Sequence, residues 1–256
     1  MDSKTLSQKR FGKFAQGYVD SKTHARGKEL DRLVEIAQPG NDWLMLDIAT
    51  GGGHTALKFA SKVAEVIATD ITEKMLAAAQ NFINESGAKN VSFQLADAED
   101  LPFENEQFDL VTCRIAPHHF NNCAAFIGEA YRVLKKTGLF LLQDHVLPED
   151  ESAARYVDKF ERTRDPSHNR AFSRSEWLGM FETAGFIVEQ TEEIIKTHSF
   201  HTWAKMQESP PELIESLISL LEKANDAVVD WLQPTHWTTD QATFVNHHLI
   251  ISGRKK

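Results

Sequence analysis

The chain has 256 residues, a length that suits one large α/β domain or one domain carrying a substantial insertion. Its composition, 41% hydrophobic and 25% charged, is an ordinary globular balance with material for a core. The formal net charge of -9 disfavours the broad basic surface of a nucleic-acid binder, and two cysteines, Cys113 and Cys123, are too few for a disulfide scaffold or a zinc cluster.

Residues 1–42 read as an N-terminal helical segment. The opening MDSKTLSQKRFGKF is polar and basic, without the apolar run of a secretory signal. No stretch of the chain approaches 18 consecutive apolar residues, so no membrane span is expected and a cytoplasmic location is. Leu30, Leu33, Val34, Ile36 and Ala37 fall at helical spacing, and Pro39-Gly40 ends the helix.

From Trp43 onward strands and helices alternate. A strand at 43–48 enters a glycine turn, and a helix follows near 54–62. A strand at 63–69 ends at Asp70, and Thr72 stands as the N-cap of a helix carrying Met75, Leu76, Ala79 and Phe82. A strand at 91–95 ends at Asp97, and a polar loop leads to the strand 108–113. The loop 114–120, a helix near 123–135 and the strand Leu139–Gln143 come next. This alternation predicts βαβ units with right-handed crossovers and a parallel sheet.

Residues 151–165 are charged and helical in pattern. Ser173 and Glu176 have the spacing of a capping box, opening a helix that runs through Ala184 to a stop at Gly185. Phe186–Ile195 reads as a strand, and Phe244–Ser252 as the last one. Between them, Leu213, Leu217, Leu220, Leu221, Ala224, Val228 and Leu232 form a helical stripe, with Ser209-Pro210-Pro211 as its start signal. The plain reading is a helix packed on the domain; the sharper one is an insertion that covers the active site or makes a homodimer contact.

The chemistry is written at the strand ends. Leu46-Asp-Ile-Ala-Thr-Gly-Gly-Gly-His54 runs from an apolar strand into an acid and a small-residue bend, and the next two strands also end in acids, Asp70 and Asp97. Such acids, set along the carboxyl edge of a parallel sheet, can hold a nucleoside. A dinucleotide fingerprint fits poorly, because the position of its third small residue holds His54, and no phosphate-binding lysine of the P-loop kind is near. The pattern Asp47, Ala49, Gly51, Gly53 instead lets backbone approach an amino-acid tail and a ribose, with Asp47 close to the ammonium. Asp70 would then bind the ribose diol, and Asp97 would accept from the adenine amine. A ligand with a nucleoside at one end and an amino acid at the other is S-adenosyl-L-methionine. Ala49, where glycine is usual, should be tolerated only with a negative φ.

Together with Asp97-Ala-Glu-Asp-Leu-Pro-Phe103, Phe108-Asp-Leu-Val, the loop ending His118-His119-Phe120 and Glu129-Ala-Tyr-Arg-Val-Leu-Lys-Lys-Thr-Gly-Leu-Phe140, these residues resemble class I S-adenosylmethionine-dependent methyltransferases of the type 11 domain. The likeness is strongest to the branch of the ubiquinone/menaquinone-biosynthesis C-methyltransferases and their bacterial relatives. It covers roughly residues 11–195 and the last strand. The resemblance implies a seven-stranded, mostly parallel Rossmann-like α/β sheet with an antiparallel last strand and helices on both faces. It has no counterpart for the stretch before the last strand, which reads as a helical insertion, and so leaves a lid at 1–42, a catalytic domain at 43–195 plus 243–256, and an insertion at 196–242. It also implies that Ile71 flanks the ribose, that Ala98 lies at the adenine, that the Arg114 carbonyl meets the ammonium, and that Phe14 and Tyr18 form an aromatic lid. Thr50, Met75 and Glu99 join the cofactor-binding set on the same basis, and the product would be S-adenosyl-L-homocysteine.

An acidic phenol or activated-carbon acceptor also wants a general base, and imidazole suits that role. His118 and His119 are the nearest candidates and Asp144-His145 the next; the plainer reading of the pair is a loop cap or a shaper of the pocket. No metal site is expected, since the histidines lack the i, i+4 spacing of a helical ligand pair. Arg155, Arg162, Arg164 and Arg170 read as an anionic-substrate patch or a solvated face. The expected function is methyl transfer to a small aromatic or quinone-like acceptor, on carbon or oxygen. The rivals are a tRNA or protein methyltransferase, a nicotinamide-dependent oxidoreductase, and a non-catalytic regulatory protein that binds the same cofactor.

Overall fold

The computed structural model describes residues 3–19, 28–205, 210–237 and 239–256. Eight strands form one sheet: β1 (Leu44–Ile48), β2 (Glu65–Asp70), β3 (Val91–Leu95), β4 (Phe108–Arg114), β5 (Leu134–Leu147), β6 (Phe172–Ser173), β7 (Phe186–Ser199) and β8 (Thr243–Lys255). Seven of them lie in the order β3-β2-β1-β4-β5-β8-β7, and the two-residue β6 pairs with the end of β5 outside that path. The first five strands pair in parallel, and β8 runs antiparallel between β5 and β7. The sheet is thus the seven-stranded one expected, extended by a short eighth strand.

Parallel neighbours need crossovers, and helices supply them on both faces. These are α1 (Ser3–Val19), α2 (Lys28–Ala37), α3 (His54–Ala60), α4 (Glu73–Glu85), α5 (Cys123–Val133), α6 (Glu151–Arg164) and α7 (Arg174–Ala184). After β7 come α8 (Phe200–Lys205), α9 (Pro211–Glu222) and α10 (Asp226–Leu232). Successive strand residues point to opposite faces, so a strand buried on both sides must be apolar throughout. Met45 enters one core with Leu33 and Phe59, while the adjacent Leu46 enters the other with Phe126 and Phe181; all are buried.

Several boundaries differ from the pattern. The stripe from Leu213 to Leu232 is two helices rather than one, because Asn225 interrupts it and caps α10 by accepting from the Val228 N–H. The proposed start signal falls partly on Ser209, outside the described residues. β5 begins directly after α5, where residues 134–138 were expected to lie outside the strand, and β7 continues to Ser199 because all of it pairs with β8. Thr72 occupies the N-cap of α4, but its side chain makes no cap hydrogen bond. The capping box is formed: Ser173 Oγ accepts from the Glu176 N–H at 3.3 Å, and Glu176 accepts from the Ser173 N–H at 2.8 Å. Gly185 ends that helix at φ 99°, a conformation that glycine adopts without a steric cost.

A third core joins α6 to the helices after β7. Phe160 is fully buried, stacked 5.2 Å from Trp203 and edge-on 5.7 Å from Phe244, with Leu217, Leu221 and Val228 around it. Phe160→Ala should therefore cost about 3–5 kcal/mol of unfolding free energy, read from chemical denaturation; a loss under 1 kcal/mol would mean that α8–α10 are not anchored there.

Candidate active site at the carboxyl edge of the sheet

The bend after β1 is built around Asp47. Its carboxylate is buried and accepts from Thr50 Oγ1 and Thr112 Oγ1, each at 2.6 Å, which ties the bend to β4. Asp70, at the end of β2, accepts from the Gly51 N–H at 3.1 Å and the Thr72 N–H at 2.9 Å. Burial pushes both carboxyls up to about 6, against the hydrogen bonds that draw them down.

Ala49 corrects an expectation. Its φ is +52°, not negative, and Gly51 follows at +56° and Gly53 at +83°. The bend keeps the left-handed geometry of an all-glycine turn and imposes it on an alanine. At Gly52 the reason for glycine is space: a Cβ there would lie 2.9 Å from the Tyr18 carbonyl oxygen, where the end of α1 crosses the bend. His54, the residue that spoils a dinucleotide fingerprint, places its Nε2 3.2 Å from the same carbonyl and so ties α3 to α1.

One cleft lies between this edge and α1. From the bend it is lined by Asp47, Ala49, Thr50 and Gly51; from the β2 end and α4 by Asp70, Ile71 and Met75. Asp97, Ala98 and Glu99 close one side, and Arg114 and His119 the other, with Tyr18 overhead. Three candidates stand apart. Gly53 is the N-cap of α3, turned toward Ala79 and Ile83. Phe14 does not line the cleft; Phe11 does, its ring 5.4 Å from Tyr18 and 4.8 Å from His119. His118 lies behind the wall, its Nδ1 2.6 Å from Asp144 Oδ1 and its N–H donating to Asp144 Oδ2.

The sequence reading missed Lys4, Ser7 and Phe11, which face the cleft from α1. The available signal was their spacing with Tyr18, one face of a helix. Lys4 Nζ reaches Asp97 Oδ2 at 2.6 Å and Glu99 Oε2 at 2.9 Å, so the lid residue is paired with acceptors of the cleft.

The two adjacent histidines have opposite states. Burial opposes charge on His118, but the Asp144 carboxylate outweighs it and raises the pKa above the ordinary value. Burial, followed by the charge on His118, holds His119 well below its ordinary value. His119 Nδ1 lies 2.9 Å from the Ser167 carbonyl oxygen. A carbonyl can only accept, so Nδ1 carries the proton and Nε2 keeps the lone pair. Ile115, between Arg114 and this loop, holds φ +53°, a costly conformation for a β-branched residue. Among the described residues, no group of three or more His, Cys, Asp or Glu is arranged to hold a metal ion.

If the bend is strained at Ala49, replacing it by glycine should raise unfolding stability by up to about 1 kcal/mol, the left-handed penalty less the extra chain entropy of glycine. A lower denaturation midpoint for Ala49→Gly would show that the bend is relaxed.

Residues 41–185 match the family described as Methyltransferase domain. The chain is 38% identical over 247 residues to the uncharacterized methyltransferase YcgJ of Bacillus subtilis (strain 168), covering 96% of this chain and 98% of that one. The crystal structure of YcgJ aligns with a TM-score of 0.86 at 36% identity, covering 90% of this chain and 98% of that chain. Protein BH2331 of Bacillus halodurans C-125 aligns with the same TM-score at 37% identity, covering 90% of this chain and 99% of its own. The ubiquinone/menaquinone biosynthesis C-methyltransferase UbiE of Ectopseudomonas mendocina (strain ymp) is 35% identical over 141 residues, about half of each chain. The chain therefore belongs to the methyltransferase domain family and is an S-adenosylmethionine-dependent methyltransferase.

Proposed function

We propose that the protein methylates a small molecule whose acceptor atom must lose a proton, a phenol or an activated carbon, and that His119 takes that proton. The observation carrying this reading is the tautomer of His119: a ring in the wall of the cleft, with Nδ1–H held by Ser167 and Nε2 left as the unprotonated acceptor. A base of this kind contributes roughly 10²–10⁴-fold to rate.

The chain's own groups fit the cofactor. Asp70 is a buried carboxylate on the cleft wall that accepts from the Gly51 and Thr72 N–H groups, and a ribose diol would supply further donors. The bend at 49–51 would follow the amino-acid tail, Asp97 and Ala98 would meet the adenine, and the Arg114 carbonyl would meet the ammonium. For this, Asp97 must exchange part of its pairing with Lys4. When bound, S-adenosylmethionine supplies an electrophilic methyl group. His119 Nε2 would take the acceptor's proton and leave that atom an electron pair for the methyl, while the methyl–sulfur bonding pair would stay on the sulfur of S-adenosylhomocysteine. Phe11, Phe120 and Tyr18 shield this point from water, and alignment of the reacting pair is worth up to about 7–11 kcal/mol. The segment 196–242 serves in this reading as a cover packed on α6, with 1–42 as the lid and the rest as the catalytic domain.

Asp70→Ala should weaken S-adenosylhomocysteine binding by about 1.5–3 kcal/mol in calorimetry; unchanged affinity rejects the ribose role. The pH dependence has a definite sign. In the free protein Asp70 gains a proton as pH falls through about 6, and the protonated acid is the poorer acceptor. Consequently kcat/KM for the cofactor should fall below about pH 6, whereas kcat should show no such step, because His119 stays neutral there. Methylation of a panel of phenols and quinols, followed by mass spectrometry, tests the acceptor class. In that panel His119→Ala should lose at least about 100-fold in kcat, and a variant with the wild-type rate and pH profile would remove the base.

A further inference from the structure

Behind His119 the imidazoles continue. The His118 ring lies 4.1 Å from His119 and 4.7 Å from His145, which is in turn 4.6 Å from His248. His145 and His248 are opposite one another on β5 and β8, and Gln143 is two residues back on β5, hence on the same face of the sheet. Gln143 is also the register partner of Arg114, a residue of the cofactor cleft. This surface therefore continues from the cleft toward the far strands.

The polar atoms of this surface are short of partners. Arg114 Nε donates to Gln143 Oε1 at 3.1 Å, which fixes the amide and turns its NH₂ away from the guanidinium. Among the described residues that buried nitrogen has no partner; neither has His145 Nδ1, His248 Nδ1 or Arg164 Nε. Buried polar atoms are rarely left so. The nearby carboxylates are already used: Asp144 by His118, Glu29 by Lys196 and Arg114, and Glu161 by Asn246 and Arg164. The charged neighbours that act most on the two rings are Arg164 at His145, and Lys196 and Arg114 at His248; the others are imidazoles, His118, His168 and His198. Burial first, then the neighbouring imidazoles at His145 and Lys196 at His248, hold both rings well below the ordinary value; a neutral ring carries one N–H, on either nitrogen.

We infer that Gln143, His145 and His248 form a binding site for an anionic oxygen group of the methyl acceptor, a carboxylate or an enolate. The inference rests on the small-molecule reading above and deepens it: the acceptor carries its reacting atom at His119 and its anionic oxygens beyond the His118 ring, at His145 and His248. Arg164, paired with Glu161 at 3.7 Å, adds positive potential at His145.

The test uses the full-length protein with ¹⁵N-labelled histidine and two probes of matched size, sodium benzoate and benzyl alcohol. Ring signals are assigned with His145→Gln and His248→Gln, and each titration is run with and without S-adenosylhomocysteine. Benzoate should shift the His145 and His248 rings and benzyl alcohol should not. Gln143→Glu places a carboxylate inside the site, so its benzoate affinity should drop at least tenfold. Silence of both rings toward benzoate, or equal shifts from the two probes, overturns the proposal and leaves the donors to ordered water. Failure of the base role is read separately: His119→Ala with unchanged turnover removes the base, while the benzoate response remains.

Discussion

Everything in the site hangs on a buried carboxylate that engages both of its oxygens within the fold. Asp47 grips a hydroxyl of its own bend and a hydroxyl of the next strand, Thr50 and Thr112. This clamp holds three glycines and a left-handed alanine in one path, and so presents the Gly51 N–H to Asp70. Burying a carboxyl is costly, and its raised pKa measures that cost. What offsets it is a bend that is already shaped when a ligand arrives.

The second constraint is α1, a mostly polar helix held over the cleft by groups that belong to the cleft itself. Lys4 pairs with Asp97 and Glu99, Gln8 donates to the Ile71 carbonyl, and Arg10 pairs with the buried Asp165. Asp165 also accepts from Ser167, whose carbonyl fixes His119. A single chain of polar contacts thus runs from α1 to the imidazole. Pairs of this kind hold while solvent is excluded and exchange partners when a ligand offers better ones.

The strand-and-helix succession from Leu44 to Gly185 was legible because each element carries a local signal: apolar runs between acids, a capping box at Ser173, a glycine at position 185. The bend at 47–53 was legible for the same reason, since small residues at fixed intervals leave few alternatives. Phe14 enters by resemblance alone, whereas Phe11 shares the helical face of Lys4, Ser7 and Tyr18, and the packing of α1 turns that face to the cleft. His118 and His119 are chemically identical in sequence. Their different states come from Asp144, 26 residues away, and Ser167, 48 residues away.

By itself, the sequence determined the class of fold, the order of the parallel strands' acids and the place of the small-residue bend, because hydrophobic periodicity and glycine are local constraints on backbone. The tertiary structure alone decided the sign of φ at Ala49, which imidazole faces the cleft, and the meeting of Gln143, His145 and His248 with cations from β4, α6 and β7. Those outcomes depend on burial and on charges brought together from distant parts of the chain. Desolvation and Coulomb energy are properties of a packed interior, and no window of sequence contains them.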